Sequence, residues 1–246
     1  MQDRLQQVET QLVTEIARCR SRLLRNYDDE VLHELRVAIR TLRALLPLRQ
    51  PKARDRALRR RWRQMAKLTD AARDLDVLAD LLAGLQPQHP QLAALRSAAA
   101  REHRVVVAEL SRRRWQGLLQ ATRQRPEQKK GTTSKRFVRR RQKLQRQLRR
   151  QLPRLSPASS SAAWHRLRLT IKRLRYLQEA GALLAQPPAP AGQLKKLQTL
   201  LGELHDLDNL QQQLDCDTGL ATLISPRRAA LLQNIADILP ALPTLA

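Results

Sequence analysis

Two short stretches of the sequence place basic side chains at helical spacing. HELRVAIRTLR, residues 33–43, carries one histidine and three arginines at steps of 3, 4 and 3 residues, and HRLRLTIKRLR, residues 165–175, repeats the spacing with one lysine. Such steps return to nearly the same face of an α-helix. Each stretch therefore predicts a row of four basic side chains on one helix face: His33, Arg36, Arg40 and Arg43 in the first row, and His165, Arg168, Lys172 and Arg175 in the second.

The residue types in these rows suit the recognition of phosphate groups. A guanidinium group forms paired hydrogen bonds to phosphate oxygens and stays charged at any physiological pH. At a rise of about 1.5 Å per residue, one row extends over about 15 Å and could follow several successive phosphates. His33 and His165 would be held protonated beside phosphates and would each add a charged donor.

A solvated charged face is the alternative interpretation of each row. Such a face normally carries acidic partners one helical turn away, yet only Glu34 adjoins the first row and Glu179 the second. Leu35 and Ile39 fall on a separate apolar stripe, roughly 110° from the first row, so the row lies off the core. Like charges repel at these spacings. The duplication therefore favours a binding site whose anion neutralises the rows.

The overall charge also indicates an anionic partner. Lys and Arg number 47 against 22 Asp and Glu, giving a formal net charge of +25. A charge of this size attracts polyanions over long range. Only 2% of the residues are aromatic, so the stacking platforms that grip unpaired bases are scarce. A nucleic-acid backbone binder stays a less favoured alternative.

Hydrophobic periodicity predicts an all-α fold, because apolar residues recur at helical spacing nearly throughout. Helix start and stop signals divide the chain into eight predicted helices. These helices cover roughly residues 1–25, 29–49, 51–85, 88–122, 133–152, 158–185, 190–214 and 225–241. The last is predicted to begin with Ser225 as its cap and Pro226 in its first turn.

The chain repeats itself at an offset of 132 residues. The two basic rows coincide at this offset, and RDLDVLADLL at 73–82 then falls on HDLDNLQQQL at 205–214 without a gap. Two separated motifs in one register indicate an internal repeat. We therefore predict two four-helix bundles related by a pseudo-twofold axis, one over about residues 1–124 and the other over about 133–246. If the two rows faced one groove, they would form a continuous positive track.

Other motifs offer little chemistry. Cys19 and Cys216 have no metal-ligand spacing, and successive Asp residues in each DLD motif point apart on a helix, so we predict no metal and no cofactor. A metal-dependent phosphohydrolase would need Asp74 and Asp206 to meet across the pseudo-twofold axis, and it stays an alternative. No apolar run reaches the roughly 20 residues of a membrane span, and no signal peptide is evident. We expect a cytoplasmic protein without a membrane partner.

The two basic rows, each followed by a helix with RDLD or HDLD, resemble the two halves of a CHAD domain, the conserved histidine α-helical domain. The similarity covers about residues 10–240. It implies a pair of four-helix bundles with a basic central groove, and binding of inorganic polyphosphate, often at polyphosphate granules. Some relatives add an N-terminal triphosphate-hydrolysing domain, but here the first predicted helix follows Met1 almost at once. We therefore expect no such domain and no enzymatic activity.

The resemblance also implies a set of ligand-facing residues. The two rows supply the primary polyphosphate contacts. A secondary set comprises Arg18, Arg22, Arg63, Arg150, Arg154, Lys195 and Lys196. Non-catalytic polyphosphate binding through these residues is the function that the resemblance implies.

Overall fold

The computed structural model describes residues 2–49, 53–125, 132–185, 192–214 and 218–241. Within these ranges the chain forms α-helices and short 3-10 turns and no strand, which confirms the predicted all-α class. The α-helices are α1 (Gln2–Arg25), α2 (Asp29–Leu45), α3 (Ala53–Lys67), α4 (Asp70–Leu85), α5 (Leu92–Ser111), α6 (Arg114–Arg123), α7 (Thr132–Gln151), α8 (Ser161–Leu183), α9 (Gly192–Gln213) and α10 (Thr218–Ile238). None of the described helices is long and apolar enough to cross a membrane.

The predicted helices 51–85 and 88–122 are each interrupted. The first breaks between α3 and α4, where the hydroxyl of buried Thr69 donates a hydrogen bond to the carbonyl of Ala66 at 2.9 Å. The second breaks between α5 and α6, and the new helix buries Trp115 edge-on against Trp62. Tertiary packing therefore overrides a helical pattern that runs on in the sequence.

The predicted start of the last helix is wrong. Helix α10 begins at Thr218 and continues through Pro226. A proline inside a helix costs stability because it removes a backbone donor and crowds the preceding turn. The residues before it compensate, since Leu220 and Ile224 are buried in one apolar cluster with Leu207 and Leu210 of α9. Burial of that first stretch explains why the helix starts early.

The chain forms two compact units, each assembled from separate segments. The first unit comprises Met1–Asp74, Ala98–Arg140 and Glu179–Pro187, and the second comprises Leu75–Ser97, Arg141–Gln178 and Pro188–Ala246. Each unit thus takes segments from both predicted halves. The pseudo-twofold relation between residues 1–124 and 133–246 stays a prediction.

Each unit has an apolar core that supports one basic row. In the first unit, the buried side of α2 packs into a core that includes Trp62 and Trp115, through Leu35, Ile39 and Leu42. In the second unit, the buried side of α8 presents residues that are fully shielded from solvent: Leu167, Ile171 and Leu174. Both basic helices are therefore anchored by one face, as the periodicity predicts.

A network of buried ion pairs connects segments of the first unit. Glu9 of α1 accepts hydrogen bonds from Arg49, which follows α2 and its 3-10 turn, at 2.6 and 2.8 Å. Arg125, just after α6, reaches Glu9 at 3.4 Å and Asp55 of α3 at 3.0 Å. Glu9, Arg49 and Arg125 are all buried. The network therefore joins four parts of the unit, one of them the segment that follows the basic helix α2.

Candidate anion-binding site

Helix α2 carries the first row on the side away from its core. Asp28 caps the helix, since its side chain accepts a hydrogen bond from the Val31 amide at 2.9 Å. His33 is exposed at the start of the row, and the three arginines that follow are half-buried. Partial burial limits the rotamers of a long side chain, so less conformational entropy is lost when it contacts a ligand.

Arg36 is held in place by the connection between α3 and α4. Its Nη1 donates to the Thr69 hydroxyl at 2.7 Å and lies 3.0 Å from a carboxylate oxygen of Asp70. The Arg36 side chain is only 14% exposed. Arg40 in turn donates from Nε to the Arg36 carbonyl at 3.2 Å. Arg36 therefore has a structural role as well as a place in the row.

His33 lies in a positive field. Partial desolvation of the ring lowers its pKa, and the charge of Arg40 lowers it further; Glu30 opposes this shift, and Arg73 and Arg36 add to it. The imidazole is therefore neutral at neutral pH in the unliganded protein. The sequence-based expectation of a protonated histidine applies to the state with an anion bound, in which the opposite charge would raise the pKa.

Helix α8 carries the second row in the other unit. His165, Arg168, Lys172 and Arg175 are all half-buried, and the core residues of the helix lie on a different face. The Arg175 guanidinium lies over the ring of Tyr176, 5.2 Å from its centroid, a cation–π arrangement. The second row thus has the partial burial of the first.

His205 of α9 adds a second histidine to the α8 row. Its ring lies against that of His165, with the centroids 4.9 Å apart. Its Nε2 lies 3.3 Å from the side-chain amide nitrogen of Asn209. Burial, together with the charge of Arg168, lowers the pKa of His205 to about 4, and the pKa of His165 is lowered in the same direction by burial and by Arg168. Both rings are therefore neutral at neutral pH.

The 132-residue repeat of the sequence contains a signal for His205. At the 132-residue offset His205 corresponds to Arg73, in the HDLD and RDLD motifs. Arg73 acts electrostatically on His33, as His205 contacts His165. In each repeat the residue at this position therefore influences the leading histidine of the row, Arg73 by its charge and His205 by a ring contact.

Arg18 and Arg22 of α1 lie against carboxylates. Arg18 bonds to Glu15 at 2.6 Å and reaches Glu34 at 3.4 Å, and Arg22 lies 3.1 Å from the same Glu34 oxygen. The hydrogen bond from Arg18 lowers the pKa of Glu15, so this carboxylate is ionised at neutral pH. The structure therefore brings Arg18 and Arg22 together beside α2, with part of their charge already neutralised.

The remaining secondary residues are all exposed. Arg63 lies on α3 in the first unit, and Lys195 and Lys196 lie on α9 in the second. Arg150 is near the end of α7, and Arg154 is in the 3-10 turn that follows it. Exposed side chains of this kind can contact a ligand at little cost in desolvation.

One group of side chains in the first unit has the spacing of metal ligands. One ligand atom from each of Glu15, Cys19 and Glu34 lies within 4.8 Å of the others. Burial raises the pKa of the Cys19 thiol to about 12, with a further contribution from Glu15. A thiol must lose its proton to bind a metal, and Arg18 and Arg22 already pair with the carboxylates. The group is therefore poorly suited to a cation. Cys216 lies outside the described residues.

Comparison with known proteins assigns the family. A family model described as the CHAD domain matches residues 8–215. The chain belongs to the CHAD domain family. Among solved structures, this CHAD protein is similar to the CHAD domain from the plant Ricinus communis, with a TM-score of 0.67 and 21% identity over 98% of this chain and 92% of that one. At this identity the likeness concerns the fold. No curated protein matches the chain.

Proposed function

We propose that this CHAD protein binds inorganic polyphosphate through the two basic rows and does not hydrolyse it. The observation that carries the proposal is the duplicated row of one histidine and three cations, off the core and with all three cations half-buried, on α2 and again on α8. The family resemblance implies the same ligand. A role at polyphosphate granules follows from the same proposal.

The chemistry of the rows fits a chain of phosphates. Partly fixed arginines can form paired hydrogen bonds to phosphate oxygens. Binding would release the counterions of the polyanion, so the logarithm of the affinity should fall linearly with the logarithm of the salt concentration. The scarcity of aromatic residues supports a ligand that has phosphates and no bases.

A competition titration tests the proposal. Labelled long-chain polyphosphate is bound at fixed physiological salt and displaced by unlabelled polyphosphate, double-stranded DNA or RNA, while phosphate release is followed with added Mg²⁺ or Mn²⁺. We expect polyphosphate to compete far better per charge than nucleic acid and to stay intact. Equal competition by nucleic acid would show that the rows are only a generic cationic surface. Release of phosphate would favour a hydrolase.

A paired set of variants tests the site. Arg40→Gln with Arg43→Gln removes two cations from the α2 row and leaves the structural residue Arg36 in place. Arg101→Gln with Arg104→Gln removes the same charge from exposed positions of α5. We expect the first pair to weaken polyphosphate binding at least tenfold more than the second. Equal losses would show that net charge alone drives binding.

A further inference from the structure

The two repeats of the sequence differ in the acidic residues beside their basic rows. In the first unit, Glu34 projects from α2 toward α1 and contacts both Arg22 and Arg18, at 3.1 and 3.4 Å. Glu15 adds a second carboxylate to Arg18 at 2.6 Å. Two arginines that could contact phosphate are thus already paired with two carboxylates of the same unit.

The corresponding positions of the second half carry no acid. At the 132-residue offset, Glu34 corresponds to Arg166 and Glu15 to Gln147, while Arg18 and Arg22 correspond to Arg150 and Arg154. Within the described part of the chain, neither Arg150 nor Arg154 has an acidic partner, and both are exposed. The second half therefore presents these outer arginines with their full charge.

We propose that Glu34 is a built-in competitor for the polyanion: it pairs with Arg18 and Arg22 of α1, beside the α2 row, so that this row binds a polyanion less strongly than the α8 row does. This inference rests on the proposed polyphosphate function. A carboxylate and a phosphate oxygen accept the same hydrogen bonds from a guanidinium group. Glu34 thus satisfies Arg18 and Arg22 until a phosphate displaces it.

The competition is reversible because the ion pairs are open to solvent. The side chains of Arg18, Arg22 and Glu34 are 55%, 38% and 37% exposed. Exposed ion pairs are weak and screened by salt, so a long polyphosphate can displace the carboxylate. Glu34 therefore lowers the affinity of the α2 row for a polyanion.

Neutralising Glu34 is the direct experiment. Glu34→Gln should free about one further phosphate contact, which corresponds to a salt slope steeper by about 0.9 and an affinity about fivefold higher at 0.15 M salt. Asp237→Asn is the matched control, because it makes the same charge change at an exposed carboxylate of α10 that accepts a hydrogen bond from Gln233. The control should change affinity less than twofold.

A double-mutant cycle gives a second readout. Arg22→Gln should weaken polyphosphate binding at most about twofold in the wild-type background but about fivefold when combined with Glu34→Gln. Arg154→Gln, at the corresponding position of the second half, should weaken binding about fivefold in either background. Circular dichroism checks that every variant stays helical.

The outcomes separate the two proposals. If the wild-type protein fails to bind polyphosphate, the proposed function is wrong. If the wild type binds but Glu34→Gln behaves like Asp237→Asn, the function stands and the competitor role of Glu34 is overturned. Equal losses from Arg22→Gln and Arg154→Gln in the wild type would overturn it as well.

Discussion

Replacing Glu9 with glutamine should destabilise the first unit severely. The substitution keeps the size of the side chain but removes the carboxylate that accepts the 2.6 and 2.8 Å hydrogen bonds from Arg49 and the 3.4 Å contact from Arg125. The amide nitrogen of glutamine is a donor and cannot accept a hydrogen bond from a guanidinium group. One of the two carboxylate oxygens is therefore lost as an acceptor, along with the charge.

The burial of the network sets the size of the effect. The side chains of Glu9, Arg49 and Arg125 are 3%, 5% and 2% exposed, so solvent cannot replace the lost charge. Removing one partner of a buried ion pair costs about 3–5 kcal/mol. For a chain of this length, each kcal/mol lowers the melting temperature by about 2–4 °C, so we expect a decrease of at least about 6 °C.

The assay is thermal unfolding followed by circular dichroism, with Glu15→Gln as the control. That carboxylate also pairs with an arginine at 2.6 Å, but the pair is 38% and 55% exposed. Solvent screens an exposed pair, which contributes little to stability, so the control should melt close to the wild type. If Glu9→Gln melted as the control does, the network would not be a main support of the unit.

Three further predictions address protonation, a buried hydrogen bond and the thiol. The pKa values of His33, His165 and His205 are lowered in the free protein, and a bound polyanion should raise them, so that these histidines take up protons on binding. The affinity for the polyanion should then rise as the pH falls below 7, by up to about tenfold per pH unit for each proton. Calorimetry in buffers of different ionisation enthalpy should detect the proton uptake. Thr122→Val removes the acceptor of the Trp62 indole N–H at 3.0 Å and should cost about 1–3 kcal/mol in chemical denaturation. Cys19, with its pKa raised to about 12, should resist alkylation at pH 8 in the native protein, as measured by peptide mass mapping.

Periodicity within one helix predicted much of the fold and both basic rows, because the spacing of apolar and charged residues decides which face of a helix is buried. Contacts between helices were not predictable in the same way. Glu34 was noted only as an acidic neighbour of its own row, yet its partners Arg18 and Arg22 lie on α1. The early start of α10 likewise depends on the burial of Leu220 and Ile224, which outweighs the preference of Pro226 for the first turn of a helix.

The two repeats of the sequence differ in charge beside their basic rows. At two corresponding positions the first half has Glu34 and Arg73, whereas the second half has Arg166 and His205. The two charges of the first half cancel. In the second half His205 is neutral at neutral pH because its pKa is lowered to about 4, so only the charge of Arg166 counts. A polyanion bound at the α8 row would raise the pKa of His205, because its negative charge favours the protonated ring.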